Sequence, residues 1–355
     1  MKPIKVGVVG CGTIATVMHL PGLVWMRDQG KVEIVAVTDA IAEKSKAASV
    51  AFGVPAHFSD LDRMLSETEF DLLVNLTPIP EHFAVSLAGL RAGRHVYTQK
   101  PMSATVDEAT TLIDEAAKRG LRLACAPEHP VLPVIQTIET LVRGGAIGKV
   151  AFARVQSSHE GPEQHNVPRD STWFYQAGSS PIVDMGVHGL SRITAILGPV
   201  RRIACFSGRS RDVRYHTVNE FKGKRIDVEI DDSSLMMLDF GAAQFAFLDA
   251  TYCVEATLGP SLEIHGSEGT IAVIEKGFRL VDIRLFESSK HVWRDVEIPP
   301  RSPCRDLGVL HLVDSLREGL PLRLTGERGR HLLDVMTAAT RSATEGRTIE
   351  LTTEF

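Results

Sequence analysis

A lysine stands where one predicted strand stops. The segment "HVYTQKP" begins as a short apolar strand, residues 95–98, and then presents Gln99, Lys100 and Pro101 in succession. Proline has no backbone N–H and fixes φ, so it cannot continue a central strand. Lys100 is therefore either a solvated strand end or a charge that the fold places at the carboxyl edge of a sheet for chemistry.

The segment "VGVVGCGTIA" contains a glycine pattern of the kind that binds phosphate. Gly10-x-Gly12-x-x-Ala15 directly follows a predicted strand and opens a predicted helix. Gly10 allows the tight turn, Gly12 lets the backbone approach a pyrophosphate, and Ala15 permits close helix–strand packing. The helix N-terminus at Thr13 and Ile14 adds N–H groups and a positive dipole end. We expect a dinucleotide site here, and the alternative is a tight turn that binds no ligand.

Asp39 ends the second predicted strand, "VEIVAVTD". A carboxylate at this place can accept hydrogen bonds from both hydroxyls of an adenosine ribose. It would also repel a 2′-phosphate, and no arginine follows at once to offset that repulsion. These features favour NAD as the cofactor, while Lys44 and Lys46 keep NADP open. Asp39 as a plain turn residue is the alternative.

The pattern of strands and helices changes near residue 125. Before that point apolar strands alternate with helical segments, which is typical of βαβ units and of a parallel sheet buried on both faces. Afterwards strands are separated mainly by turns, which predicts a mostly antiparallel sheet, and two helical patterns close the chain. We therefore predict an α/β protein with a nucleotide-binding domain over residues 1–125 and a second domain over residues 126–355.

Composition excludes several classes of protein. The chain has 355 residues, of which 44% are hydrophobic and 23% charged, as in an ordinary soluble protein. A net charge of −5 and no basic stripe argue against a nucleic-acid partner. The five cysteines lack zinc-site spacing, which predicts reduced thiols in a cytoplasmic protein. No apolar run reaches ~18 residues, so we expect no membrane partner.

Three further segments complete a pattern that resembles a known family. They are "NLTPIPEHF", "QKP" and "SSPIVDMGVHGL", the last with the motif Asp-x-Gly-x-His. With the glycine loop they resemble the glucose–fructose oxidoreductase and inositol dehydrogenase family, Gfo/Idh/MocA, over essentially the whole chain. The resemblance implies a doubly wound Rossmann domain and a C-terminal domain with a large open antiparallel sheet for substrate binding and oligomerisation. Beyond the glycine loop and Asp39, the implied cofactor contacts are Asn75, Thr77, Pro78, His82, Gln99 and Lys100.

The family pattern implies that Lys100, Asp184 and His188 meet beside the nicotinamide. Under this resemblance Lys100 holds a substrate hydroxyl and stabilises alkoxide charge, while histidine suits the base that takes the hydroxyl proton. Ser180 and Pro181 predict the start of a helix, which would place Asp184 and His188 on one helical face. The alternatives are an exposed strand end at Lys100 and a satisfied core histidine at His188. A metal-binding Asp/His pair lacks an evident third ligand, so no metal is expected.

Departures from the family pattern bear on the site. Gln99 replaces the glutamate that usually precedes Lys-Pro, although an amide can still bind a ribose hydroxyl. Glu128, with His129 beside it, stands where many members have asparagine. If Glu128 lies near the nicotinamide, burial and Asp184 should raise its pKa, and Lys100 should lower it. Trp173 resembles the family tryptophan near the substrate, with a core aromatic as the alternative. We expect Glu128, His129 and Trp173 to contact substrate along with the catalytic residues.

Three functions fit these observations. The leading one is an NAD-dependent dehydrogenase that acts on a secondary alcohol of a sugar, polyol or sugar derivative, as a cytoplasmic homodimer or homotetramer. The alternative is an NAD-dependent glycoside hydrolase that oxidises the sugar transiently, eliminates the aglycone, adds water and reduces again. Glu128 or the polar loop at 159–169 could supply its extra acid/base group, and that loop could instead cover the site or be solvated. A non-catalytic nucleotide sensor is disfavoured because Lys100, Asp184 and His188 are all present.

Overall fold

The residues fall into two compact units. The computed structural model describes residues 2–167, 169–276 and 279–355. The first unit contains Met1–Leu132, Pro300–Leu333 and Phe355, and the second contains Pro133–Pro299 and Asp334–Glu354. The unit with the predicted nucleotide-binding segment therefore also includes a late part of the chain, and the functional boundary near residue 125 stays a prediction.

The first unit contains a parallel sheet. Its strands, among the described residues, are β1 (Ile4–Val9), β2 (Val32–Thr38), β3 (Ala56–Phe58), β4 (Leu72–Asn75), β5 (His95–Thr98) and β6 (Leu123–Cys125). The helices between them are α1 (Leu20–Asp28), α2 (Ala42–Phe52), α3 (Leu61–Glu67), α4 (His82–Arg91) and α5 (Val106–Lys118). The strand order is β3-β2-β1-β4-β5-β6, with every pair parallel. This is the order of dinucleotide-binding sheets, and it confirms the predicted Rossmann fold.

Local signals in the sequence set the ends of these helices. Thr105 and Glu108 form a reciprocal capping box at the start of α5. The Asp60 side chain accepts a hydrogen bond from the backbone N–H of Arg63 at the start of α3. Gly53 ends α2 in the left-handed conformation that glycine adopts most readily. These local contacts therefore determine where α3 and α5 begin and where α2 ends.

The second unit contains a mixed, mostly antiparallel sheet, as the sequence predicts. Two helices precede its later strands, α6 (Pro133–Arg143) and α7 (Val187–Leu197). Its strands are β7 (Val150–Gln156), β8 (Arg202–Gly208), β9 (Val213–Tyr215), β10 (Arg225–Asp227), β11 (Ser233–Gly241), β12 (Gln244–Thr251), β13 (Leu262–Gly266), β14 (Gly269–Lys276), β15 (Arg279–Glu287), β16 (Val292–Val296) and β17 (Ile349–Glu350). The large sheet has the order β16-β15-β14-β13-β7-β12-β11-β8-β17, and β9 and β10 pair separately. Its strand pairs are antiparallel except that between β7 and β12.

The late segment of the first unit packs into that unit's core. It contains α8 (Leu307–Glu318) and the start of α9 (Gly326–Glu345). Side chains of α8 belong to the same buried cluster as those of α1 and β1. A Cβ added to Gly22 in α1 would lie 2.5 Å from the Cβ of Asp306, so glycine permits this close approach. The two closing helices were predicted, but the packing of α8 against α1 has no local signal in the sequence.

Two other expectations concern the chain as a whole. The five cysteines are all free thiols, and each is buried except Cys253, which is half-buried. This agrees with the prediction of reduced thiols. Among the residues that the structure describes, no helix is both long and apolar enough to cross a membrane.

Candidate active site

The glycine loop has the geometry of a phosphate site. Gly10 has a φ of +94°, and a Cβ added there would lie 2.6 Å from the carbonyl oxygen of Leu76, so glycine is required. A Cβ added to Gly12 would meet no heavy atom within 4 Å, which leaves open space against the backbone. Thr13 and Ile14 begin the helix and are exposed. The residues present therefore fit a dinucleotide pyrophosphate at a helix N-terminus.

Asp39 holds the glycine loop as well as ending β2. One carboxylate oxygen accepts the backbone N–H of Cys11 at 2.8 Å, and the other accepts that of Ile41 at 2.9 Å. Each oxygen keeps a second lone pair, and the side chain is half-buried, so it can still accept ribose hydroxyls. The sequence predicted the ribose role of Asp39 but missed its bond to the loop.

Asn75 and His82 organise the loop that follows β4. The fully buried Asn75 amide donates to the carbonyl oxygen of His82 and accepts the N–H and hydroxyl of Thr77. The His82 ring nitrogens lie 2.6 Å from the carbonyl oxygen of Pro101 and 2.8 Å from that of Thr77. Burial is the largest influence on the pKa of His82 and lowers it. Both side chains are thus engaged with their own loop, and Pro78 at its start is exposed. Direct cofactor contacts from this group remain a prediction.

Lys100 follows β5 at the carboxyl edge of the parallel sheet. It is half-buried, and its backbone N–H donates to the Oε1 of Gln99 at 3.3 Å. Open α/β sheets bind their ligands at this edge. The Gln99 side chain also contacts His19, a residue that the sequence analysis did not single out. The Gln99 side chain therefore holds the backbone N–H of Lys100, at an edge of the same sheet that carries the phosphate loop.

Glu128 lies just beyond β6, the next strand along the edge. Its carboxylate is paired with Arg301 at 3.2 Å. Burial, and next the charge of Asp306, raise the pKa of Glu128 to about 7, while Arg301 opposes the shift. The direction agrees with the sequence-based expectation, but the charged neighbours differ from the expected Asp184 and Lys100. The reason is that the late segment at 300–333 packs into this unit and brings its own charges.

His129 follows Glu128 in a short 3₁₀ turn. It is buried, with 9% of its surface exposed. A substrate contact from His129 stays a prediction.

Asp184 precedes the α7 helix of the second unit, and His188 lies in the first turn of that helix. The hydroxyl of Ser180 accepts the N–H of Val183 at 3.3 Å, as predicted for a helix start. The predicted regular helix is wrong in detail, because Ile182–Gly186 form a π-helical turn and α7 begins only at Val187. Four-residue spacing within a π turn does not superpose side chains as it does in an α-helix. Both Asp184 and His188 are half-buried.

Ser157 stabilises this π turn from the end of β7. Its hydroxyl accepts the N–H of Gly189 at 3.0 Å and donates to the carbonyl oxygen of Met185 at 2.5 Å. In an α-helix these two backbone groups would bond each other, so the hydroxyl is inserted into the ladder. A Cβ added to Gly189 would lie 2.9 Å from the Cβ of Ser157, so glycine makes room for the insertion. Sequence reasoning missed Ser157, because nothing local distinguishes it.

Tyr252 fixes the carboxylate of Asp184. Its hydroxyl donates to the Oδ2 of Asp184 at 3.1 Å, and its ring is fully buried. Burial, together with the Asp184 charge, raises the pKa of Tyr252, so the phenol remains a donor. The ring of His159 stacks on Tyr252 with centroids 5.2 Å apart. Tyr252 is thus a second functional candidate that the sequence analysis missed.

The polar loop at 159–169, of which Pro168 lies outside the described residues, begins at His159 against the ring of Tyr252. His159, Glu160 and His165 bring one ligating atom each within 4.8 Å of one another. However, Nδ1 of His159 accepts the N–H of Gly161 at 2.9 Å, so the neutral ring carries its proton on Nε2. Burial, then His165, lowers the pKa of His159 to about 4 and keeps that ring neutral. This arrangement suits hydrogen bonding to a ligand better than metal ligation.

Trp173 is not a core residue. It is 49% exposed and stacks on Phe174, with ring centroids 3.8 Å apart, in the turn Thr172–Tyr175. The guanidinium of Arg169 lies over the Phe174 ring, 4.6 Å from its centroid, in a cation–π contact. The core alternative for Trp173 is therefore wrong, and its contact with substrate remains a prediction.

Family comparisons agree with this fold and these motifs. The model of an oxidoreductase family with an NAD-binding Rossmann fold, GFO_IDH_MocA, matches residues 4–126, and the GFO/IDH/MocA C-terminal domain model matches residues 135–272. The match to these models, together with the sheet order and the glycine loop, identifies an oxidoreductase family that binds a nicotinamide dinucleotide. The chain belongs to the Gfo/Idh/MocA family, and its relatives include dehydrogenases of sugars and polyols.

Individual relatives match along nearly the whole chain. The D-apiose dehydrogenase of Paraburkholderia graminis is 25% identical, over 99% of this chain and 90% of that protein. An NADP-dependent scyllo-inositol 2-dehydrogenase of Bacillus subtilis is 24% identical, over 98% and 96%. The structure resembles the aldose-aldose oxidoreductase of Caulobacter crescentus complexed with glycerol, with a TM-score of 0.81 and 20% identity over 99% and 100% of the two chains. None of these three is a glycoside hydrolase, so the hydrolase alternative receives no support from them.

Proposed function

We propose that this protein is an NAD-dependent dehydrogenase acting on a secondary alcohol of a sugar, polyol or sugar derivative. The observation that carries the proposal is the half-buried Lys100 at the carboxyl edge of the same sheet whose first strand leads into the phosphate loop. A lysine at this edge can reach a substrate that lies beside a cofactor bound by that loop. The cytoplasmic location expected from the sequence is part of the proposal.

The chain's own residues divide the work of binding. Backbone N–H groups at Gly12 and Thr13 would hold the pyrophosphate, and Asp39 would hold the adenosine ribose. The amide of Gln99 would stand near the nicotinamide ribose. NAD is proposed over NADP because the Asp39 carboxylate would repel a 2′-phosphate. A nicotinamide cofactor supplies the acceptor or donor of a hydride.

Lys100, Asp184 and His188 act on the alcohol in this proposal. His188 takes the hydroxyl proton, since an imidazole titrates near neutrality. Lys100 stabilises the negative charge that develops on the alcohol oxygen. Asp184 accepts a hydrogen bond from Tyr252 and precedes His188 by four residues, and its negative charge would favour the protonated form of His188 after proton transfer.

One incubation separates this function from the hydrolase. The protein is mixed with NAD and a panel of sugars, polyols and aryl glycosides, and NADH and aglycone are both measured. Stoichiometric NADH supports the dehydrogenase. Aglycone release with catalytic NAD and no net NADH would replace it by the hydrolase alternative.

We also propose that a second copy of the chain covers the outer face of the large sheet. Large apolar side chains on adjacent strands are exposed there, and Leu235 faces Phe206 while Phe245 faces Phe152 across the strand pairs. Phe206 is 82% exposed. A face of this kind marks a protein interface, and two copies can bury it symmetrically. Light scattering on wild type and Phe206→Asp tests the proposal, which predicts an oligomer that the substitution dissociates.

A further inference from the structure

A buried chain of polar side chains leads from the interior of the first unit to Lys100. His19 and Asp306 are both fully buried, and Nδ1 of His19 lies 2.6 Å from Oδ2 of Asp306. On the other side of the ring, Nε2 of His19 lies 2.7 Å from the amide nitrogen of Gln99. The Oε1 of Gln99 accepts the backbone N–H of Lys100 at 3.3 Å. The four residues therefore form a continuous hydrogen-bonded path.

The donor and acceptor roles along this path are determined by its two ends. An ionised Asp306 carboxylate can only accept, so Nδ1 of His19 is the donor. The Lys100 backbone N–H can only donate, so the Gln99 amide must turn its oxygen towards Lys100 and its NH₂ towards His19. Nε2 of His19 then accepts from Gln99, which makes the ring neutral with its proton on Nδ1. The opposite amide orientation would set two donors against each other at Lys100.

Asp306 is itself held firmly. Its Oδ1 accepts the N–H of Val309 at 2.9 Å as the N-cap of α8. His19 ends a π-helical turn, Ala15–His19, that follows the phosphate loop directly. One network thus connects the helix after the phosphate loop, the start of α8 and the strand end that carries the lysine.

We infer that His19 and Asp306 are positioning residues that orient Gln99 and thereby fix the backbone at Lys100. The inference rests on the proposed function, because it assigns the network the task of placing the lysine for reaction. The inference also explains why glutamine, rather than the family's usual glutamate, suits position 99. A neutral His19 needs a donor at residue 99, and glutamine provides one, whereas a carboxylate there would require a proton on Nε2 as well.

Nitrogen NMR of the histidine rings tests the tautomer without any substrate. In wild type at neutral pH we expect His19 with a proton on Nδ1 and an unprotonated Nε2, assigned by the signal that His19→Asn removes. In Gln99→Glu the same ring should acquire a second N–H, since both flanking groups would then be acceptors. A proton on Nε2 in wild type, or an unchanged ring in Gln99→Glu, would overturn the inference.

A matched pair of substitutions tests the positioning role. His19→Asn can retain the donor to Asp306 but has no atom at the Nε2 position, whereas His19→Gln can place a carbonyl oxygen there to accept from Gln99. We expect kcat to fall about 10-fold in His19→Asn, the scale of one lost hydrogen bond, and to be partly restored in His19→Gln. NAD affinity should fall less than kcat in either variant, because the phosphate loop and Asp39 would hold the cofactor independently of Gln99, and folding is checked by thermal unfolding. Wild-type kcat in His19→Asn, when Lys100→Met has lost turnover, would overturn the inference. Failure of the proposed function is distinguishable, because it would appear as aglycone release without net NADH, and the NMR result would still decide the tautomer.

Discussion

Two π-helical turns occur among the described residues, and they differ in how their polar groups are satisfied. The turn Ala15–His19 ends in a fully buried histidine whose two ring nitrogens both have partners. The turn Ile182–Gly186 holds Asp184, which is half-buried and receives the phenol of Tyr252. The first turn follows the phosphate loop and the second contains Asp184 of the predicted catalytic motif, in keeping with the frequent occurrence of π turns at functional sites. The first turn is suited to hold other groups in place, and the second leaves its carboxylate accessible to a ligand.

The same contrast separates the residues at the edge of the parallel sheet. Asn75 and His82 use their polar atoms within their own loop. Lys100 remains half-buried beside them. A satisfied buried network makes a rigid frame, and a rigid frame is what a reacting group requires. Substitutions in the two classes should therefore have different consequences, namely loss of stability or geometry in the frame and loss of turnover in the accessible groups.

The largest effect is expected at Lys100. Lys100→Met should lower turnover by roughly 10²-fold or more, the scale of one preorganised charge, with nearly unchanged NAD affinity. Steady-state rates and a fluorescence titration with NAD measure the two quantities. Lys118→Met, at the exposed end of α5, is the matched control and should behave as wild type. Near-normal turnover in Lys100→Met would return the lysine to a solvated strand end.

Substitutions at Asp39 test a residue that both holds the phosphate loop and is predicted to bind the cofactor ribose. Asp39→Ala should weaken NAD binding by ~1.5–3 kcal/mol and narrow the preference over NADP, since ribose hydrogen bonds and 2′-phosphate repulsion are lost together. The same change removes the acceptor of the Cys11 N–H, so thermal stability should fall as well. Asp39→Asn keeps an acceptor for the loop and separates the two effects. An unchanged ratio of NAD to NADP affinity in both variants would refute the ribose assignment.

A substitution at Tyr252 tests the role of the π turn Ile182–Gly186, which holds Asp184. Tyr252→Phe removes the donor to Asp184 and should cost ~0.5–1.5 kcal/mol in transition-state stabilisation, or about 2- to 10-fold in turnover. Cofactor affinity should stay the same. Tyr175→Phe is the control, because its hydroxyl bonds Glu163 in the same aromatic cluster and not Asp184. Equal rate losses in the two variants would mean that the cluster only stabilises the fold.

The smallest effect on rate is expected at Glu128. Its pKa is raised from 4.5 to about 7, so between these values the folded protein keeps a proton that the unfolded chain has released. Stability from this group therefore falls as pH rises through that window, and Glu128→Gln should remove the fall. Thermal unfolding from pH 4.5 to about 7 measures it. We also expect the variant to lose one limb of the pH–rate profile, with a modest loss of substrate affinity in a dehydrogenase. Wild-type profiles of stability and rate would mean that Glu128 only fills space.

Local sequence signals predicted much of the fold and the accessible groups. The strand–helix alternation and glycine spacing are periodic or adjacent features, so the parallel sheet, the phosphate loop and the strand end at Lys100 follow from them. Ser180 likewise identified the start of the helical segment, although Asp184 lies in its π turn and only His188 lies in α7.

The supporting groups could not be predicted in this way. Asp306 is 287 residues from His19, and Tyr252 is 68 residues from Asp184, so no local spacing connects either pair. The π turn at Asp184 depends on a hydroxyl inserted from Ser157, in another element. Long-range packing decides these contacts, and a single sequence does not record it.

Transfer of hydride from the substrate carbon to the nicotinamide is measured directly with an isotope. A polyol or sugar that supports NADH formation is supplied with deuterium at the carbinol carbon, and the reduced cofactor is analysed by mass spectrometry after a single turnover. We expect deuterium to appear in the reduced nicotinamide and the rate of its transfer to fall in Lys100→Met. Product formation with no deuterium in the nicotinamide would refute the proposed hydride transfer.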